Sequence, residues 1–133
     1  MNLGIIGTGR MAQAIVGGIL NSKALPAGNI CGTDPNEKSR DAFLALDKEA
    51  GLGWEDSIDS LVADCQVILI AVKPQQIQEV LEKVQSAPED SCIVSIAAGV
   101  TLDTLAKALG DQRPLIRVMP NTPALVGHGA TAF

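Results

Sequence analysis

Short aliphatic runs alternate with helix-like segments along most of the chain, and this alternation constrains the fold more than any other feature. The runs are rich in Ile, Val and Leu, as strands buried on both faces are. They cover residues 2–6, 29–33, 67–72, 92–97 and 115–119. Between them apolar residues recur at helical spacing, as Ile77, Val80 and Val84 do. Such alternation favours right-handed crossovers. We predict an α/β fold with a doubly wound, mostly parallel sheet of the Rossmann type.

The composition fits one soluble domain spanning residues 1–133. The chain has 2 Phe, 1 Trp and no Tyr, so aliphatic side chains must fill its core. Its net charge of -5, without a basic cluster, argues against a nucleic-acid partner. The sequence shows neither a secretory leader nor an apolar run of about 20 residues, the length that spans a membrane. We therefore expect a cytoplasmic protein with no membrane partner.

The cysteines and the histidine do not suggest a metal site. Cys31, Cys65 and Cys92 are far apart and lack C-x-x-C spacing, so we interpret them as buried free thiols. His128 is the only histidine, which rules out a multi-histidine metal centre. We predict no bound metal.

A glycine-rich junction follows the first strand and opens the first helix. Gly7, Gly9 and Ala12 match the G-x-G-x-x-G/A fingerprint of dinucleotide-binding proteins. Gly7 would allow the tight turn, Gly9 would let backbone amides approach a pyrophosphate, and Ala12 would let the helix pack on the strand. The helix N-terminus would add free N–H groups and partial positive charge. A purely structural glycine turn is the alternative.

Asp34 follows the second strand, near the spacing expected of the acid that binds the adenine ribose. The alternative is that the sequence Asp34-Pro35-Asn36 only caps the next helix. A ribose-binding carboxylate would repel the 2′-phosphate of NADP, whereas Lys38 and Arg40 lie close enough to meet it. The choice between NAD and NADP therefore stays open.

Three later loops also follow strands, where doubly wound sheets bind ligands. In Ala71-Val72-Lys73-Pro74, the proline would start a helix and direct Lys73 into the crevice. Ala97-Ala98-Gly99 would leave room for a flat group such as nicotinamide, although helix and sheet packing also explains small residues there. Two prolines bracket Asn121-Thr122 and stiffen that loop.

On these residues the chain resembles the amino-terminal domain of the pyrroline-5-carboxylate reductases. The resemblance covers essentially the whole chain and includes GIIGTGRMAQAIVGGI, ILIAVKPQ, SIAAGVTLDTL and RVMPNTPALVGHGATAF. The last segment is the most specific, because many dinucleotide enzymes share the first. The resemblance implies hydride transfer from NAD(P)H to the C=N carbon of 1-pyrroline-5-carboxylate, which gives L-proline.

The resemblance also implies roles for single positions. Gly7, Thr8, Gly9, Arg10, Met11 and Ala12 would hold the pyrophosphate. Ala71, Val72, Lys73 and Pro74 would line the ribose and nicotinamide, and Ala98 and Asn121 would lie near the nicotinamide, beside Ala97. The family commonly has an Asn where this chain has Asp56-Ser57-Ile58.

In the family a helical second domain forms the dimer and supplies most substrate contacts. We expect that domain to be absent from these 133 residues, and we therefore assign no catalytic acid or base here. We expect the full-length protein to be a homo-oligomer that uses this missing domain. Two other hypotheses stay open: a dinucleotide-binding module without catalysis, and another Rossmann reductase such as an F420-dependent NADP reductase.

Overall fold

The computed structural model describes residues 1–49 and 51–120, which form a six-stranded sheet with helices on both faces. The strands are β1 (Leu3–Ile6), β2 (Ile30–Thr33), β3 (Gly53–Trp54), β4 (Val67–Ile70), β5 (Cys92–Ser95) and β6 (Leu115–Arg117). All neighbours pair in parallel, in the order β3-β2-β1-β4-β5-β6. The predicted doubly wound, Rossmann-type fold is confirmed, and the sheet is wholly parallel.

Five α-helices connect the strands: α1 (Arg10–Asn21), α2 (Glu37–Leu44), α3 (Ile58–Val62), α4 (Ile77–Val84) and α5 (Leu102–Leu109). Side-chain caps start three of them, because the hydroxyl or amide oxygen accepts an otherwise unpaired N–H. Thr101 is one of these caps and accepts the Thr104 amide at 3.1 Å. Gly110 ends α5 at a φ of 91°, which favours glycine.

Two apolar cores lie on opposite faces of the sheet, since successive side chains of a strand point to opposite sides. Ile6, Ile68 and Ile93 belong to the core beneath α3, α4 and α5. Ile5 and Leu69 belong to the other core, beneath α1 and α2. This double burial explains why the strands are continuously aliphatic.

The structure differs from the sequence prediction in short elements and at strand ends. It adds β3, with two residues, and α3, with five, neither of which was predicted. β4, β5 and β6 each end two residues earlier than predicted, because the chain leaves the sheet to form the loops at its carboxyl edge.

The sheet order reverses between β1 and β4. The chain leaves β1 towards β2 on one side and leaves β4 towards β5 on the other, so their loops diverge and leave a crevice. Within the described part of the chain, no helix is long and apolar enough to cross a membrane.

Candidate functional site

A cleft of about 710 Å³ opens at the carboxyl ends of the strands. Four segments form its walls: the loops after β1, β2 and β3, and the segment that leads from β4 into α4. This is the position where doubly wound sheets bind ligands. The cleft therefore joins loops that are far apart in the sequence.

Gly7 is required by the fold of the loop itself. Its φ is +86°, and an added Cβ would lie 2.7 Å from the carbonyl oxygen of Ala71. A side chain at this position would be strained and would push against the backbone at the end of β4. Gly7 thus allows β1 to turn sharply beside β4, as the fingerprint predicts.

Gly9 differs, because nothing in the described protein requires a glycine there. It is the N-cap residue of α1, with an ordinary φ of -69°, and apart from its two chain neighbours no residue lies within 4 Å of where its Cβ would be. The space beside it opens into the cleft, next to the unpaired first-turn N–H groups of α1. An anion such as a dinucleotide pyrophosphate fits this arrangement.

Asp34 lies in the cleft wall, directly after β2. Its Oδ2 accepts the Thr8 amide at 2.7 Å and its Oδ1 accepts the Asn36 amide at 2.8 Å. Asn36, rather than Asp34, caps α2: its side chain accepts the Ser39 amide at 3.2 Å. The Asp34 carboxylate instead links two loops and still presents an edge to the cleft.

The wall near Asp34 is acidic and polar. Asp56 and Ser57, from the loop after β3, line the cleft together with Asp34. Ser57 also caps α3 by accepting the Ser60 amide at 3.1 Å. Lys38 and Arg40 are not in this wall, and Arg40 pairs with Asp41 at 3.3 Å.

The opposite wall contains Ala71, Val72 and Lys73, the segment where the sequence places the cofactor. Pro74 begins a 3-10 turn, Pro74–Gln76, at a position where its missing N–H costs nothing. Farther along α4, the Lys83 Nζ donates to Glu79 Oε1 at 3.0 Å. The Glu79 carboxylate thereby raises the pKa of the Lys83 ammonium.

The remaining predicted residues lie apart from the cleft wall. Thr8, Ala12 and Ala97 are buried, with 0%, 1% and 3% of their surface exposed. Their side chains pack inside the protein and do not line the cleft. Arg10, Met11, Pro74 and Ala98 are at least partly exposed but do not line the cleft, and Asn121 lies outside the described residues.

Sequence reasoning missed several residues of this site. Ser39, Gln76 and Lys83 line the cleft through helix or turn positions that carry no motif. Ser57, a preferred N-cap residue directly before Ile58, could have indicated the start of α3. Within residues 1–49 and 51–120, no group of three or more His, Cys, Asp or Glu side chains is placed to hold a metal ion.

Known proteins share both the sequence and the fold of this chain. A family model described as "NADP oxidoreductase coenzyme F420-dependent" matches residues 2–99. The pyrroline-5-carboxylate reductase of Escherichia coli strain K12 is 44% identical over 131 residues, which cover 98% of this chain and 48% of that protein. The chain thus spans about half the length of the curated relatives that it matches.

Solved structures give the same result. A pyrroline-5-carboxylate reductase from Coxiella burnetii aligns with a TM-score of 0.85 at 31% identity, over 96% of this chain and 47% of that chain. The Plasmodium falciparum pyrroline carboxylate reductase, solved with NADP bound, aligns with a TM-score of 0.81 at 29% identity. That alignment covers 97% of this chain and 45% of the other.

Proposed function

We propose that this chain, which belongs to the family described as "NADP oxidoreductase coenzyme F420-dependent", is the dinucleotide-binding half of a 1-pyrroline-5-carboxylate reductase. The observation that carries this proposal is the similarity to pyrroline-5-carboxylate reductases across nearly the whole chain. At 44% identity over 98% of the chain, the similarity extends beyond residue 99, where the match to the family model stops. In this proposal residues 1–133 form the nucleotide-binding domain.

The cleft would hold NADH or NADPH. When bound, this cofactor supplies the hydride that reduces the imine of 1-pyrroline-5-carboxylate to L-proline. The open space beside Gly9 and the N-terminus of α1 favour a pyrophosphate at this position. Asp34 and Asp56 would face the adenosine half, and Ala71 to Lys73 the ribose and nicotinamide.

We propose that both reduced cofactors are accepted. NADP is bound in the Plasmodium falciparum relative, which supports the use of NADPH. The carboxylates of Asp34 and Asp56 support the form without a 2′-phosphate, because two negative charges line the cleft where neither Lys38 nor Arg40 does.

The substrate contacts and the oligomer interface would lie in the half of the protein that this chain does not span. Hydride transfer requires the imine carbon to be held about 3–3.5 Å from the reduced nicotinamide. We therefore assign the chain to binding and orienting the cofactor, and propose a homo-oligomer built through the other half.

A coenzyme F420-dependent NADP reductase is the second candidate, because the matched family model carries that description. The experiment that separates the two uses the protein at its full natural length. It should form proline from 1-pyrroline-5-carboxylate with NADPH or NADH. The reaction is monitored by the loss of absorbance at the reduced nicotinamide band, and the proline is identified by chromatography. Reduction of NADP by reduced F420 without any proline formation would overturn the proposal.

A further inference from the structure

Both peptide groups of Thr8, the middle residue of the Gly-x-Gly turn, are held by side chains. Its N–H donates to Asp34 Oδ2 at 2.7 Å, and its carbonyl accepts from Gln13 Nε2 at 2.7 Å. The Thr8 side chain is fully buried, and its methyl group packs where Gly32 leaves room. We call this arrangement the Thr8 clamp, made of Asp34 and Gln13.

The clamp determines how the next amide points. In a trans peptide the carbonyl of one residue and the N–H of the next point in opposite directions. The hydrogen bond from Gln13 fixes the direction of the Thr8 carbonyl, and so fixes the Gly9 N–H on the opposite side of the same plane. Within the described residues this Gly9 N–H has no hydrogen-bond acceptor.

A carboxylate beside an anion site requires an explanation, because its charge repels phosphate. Asp34 accepts two backbone N–H groups, from Thr8 and Asn36, and so connects the glycine loop to the loop that precedes α2. Hydrogen bonds to a charged acceptor are stronger than those between neutral groups, so these two bonds hold the glycine loop firmly against the loop before α2.

We infer that Asp34 and Gln13 are positioning residues for the cofactor, which hold the Gly9 amide in its anion-binding orientation through Thr8. The inference rests on the proposed binding of a nicotinamide dinucleotide. It assigns a function to Gln13, which matches no motif, and gives Asp34 a function beyond contact with a ribose. The two views of Asp34 differ for NADPH: loss of a ribose ligand that repels the 2′-phosphate strengthens NADPH binding, whereas loss of the clamp weakens it.

The test compares Asp34→Ala and Gln13→Ala with the full-length parent by calorimetric titration with NADH and with NADPH. Each variant should bind both cofactors about tenfold or more weakly than the parent does. Asp34→Asn, which keeps one acceptor oxygen, should lose less than Asp34→Ala. Matched controls that make the same changes away from the cleft, Asp111→Ala and Gln78→Ala, should bind like the parent.

A second readout needs no cofactor. Hydrogen exchange of the Thr8 amide, followed by mass spectrometry on the cofactor-free protein, should be slow in the parent and faster in both clamp variants. Unchanged or tighter binding, or unchanged Thr8 exchange, would overturn the clamp while the proposed function stands. A parent that binds neither cofactor would overturn both. If Asp34→Ala fails to fold, Gln13→Ala and Asp34→Asn decide the question.

Discussion

The two glycines of the fingerprint, Gly7 and Gly9, are needed for different physical reasons. Gly7 has a positive φ and faces a backbone carbonyl, whereas Gly9 has an ordinary φ and faces open space. The fold therefore requires the first, and only a ligand would require the second. This geometry agrees with the different roles that the fingerprint predicts for the two positions.

Gly7→Ala should destabilise the protein by about 1–3 kcal/mol, because a Cβ at positive φ is strained and would meet the Ala71 carbonyl. The measurement is the free energy of unfolding in urea. Gly9→Ala is the matched control and should lose less than about 1 kcal/mol, because alanine is a poorer N-cap residue than glycine but its Cβ would meet no close neighbour. Equal losses in the two variants would refute the distinction.

Cys31 should be a slow nucleophile. Burial, together with the Glu55 carboxylate, raises the pKa of its thiol to about 11. At pH 8 it then carries roughly a hundredfold less thiolate than an ordinary cysteine. Alkylation, followed by peptide mapping, should be correspondingly slow in the native protein and fast in urea.

The same pKa shift has a definite sign for stability. The unfolded thiol releases its proton at lower pH than the folded one, so ionisation favours the unfolded state as pH rises from about 9 to 11. Cys31→Ala should reduce this loss of stability. An alkylation rate of native Cys31 that levels off above pH 9 would contradict the shift.

At the scale of elements, periodicity predicts the long segments but not the short ones. The aliphatic runs and the α4 pattern are strong signals, because burial on two faces or on one helical face repeats along the sequence. β3 and α3 are too short to show any period. The Thr8–Asp34 contact joins residues 26 apart, and no spacing rule encodes it.

One buried arginine ties two elements together. Arg113 donates from Nη1 to the Pro88 carbonyl at 2.8 Å and from Nη2 to the Ala87 carbonyl at 3.1 Å. It thus fastens the turn after α4 to the segment before β6. Arg113→Ala should lower the free energy of unfolding by about 1–3 kcal/mol, because it leaves two carbonyls without their partner.

The matched control is Arg117→Ala, which removes an exposed arginine of β6. It should change stability by less than about 0.5 kcal/mol. Thermal or urea unfolding of the two variants tests the difference. If both lose the same stability, the loss arises from charge rather than from the contacts of Arg113.

At the scale of the whole molecule, the sheet order brings the site together. The cleft forms where β1 and β4 lead to opposite sides, so four loops meet although they are spread over much of the chain. The alternation of strands and helices predicted this place, because parallel sheets expose their loops at the carboxyl edge. The sequence also predicted the loops after β1, β2 and β4, whereas the structure adds the loop after β3 and leaves Ala97 and Ala98 out of the cleft wall.

The 133-residue chain, made alone, should bind NADH or NADPH but should not form proline. In our proposal the half that holds the imine against the nicotinamide is missing from it. Titration with cofactor and a proline assay on the same preparation test both parts. Substantial turnover by this chain would place the substrate site within it.

The most direct test of the central claim, that the cleft beside Gly9 holds a dinucleotide pyrophosphate, is a calorimetric titration of Gly9→Val with NADPH and NADH. The valine side chain would occupy the space that the described protein leaves open. We expect the variant to stay folded, with a loss of no more than about 1 kcal/mol in unfolding free energy because valine is a poorer N-cap residue than glycine, and to show no measurable binding. A folded Gly9→Val protein that binds either cofactor with the affinity of the parent would contradict the account.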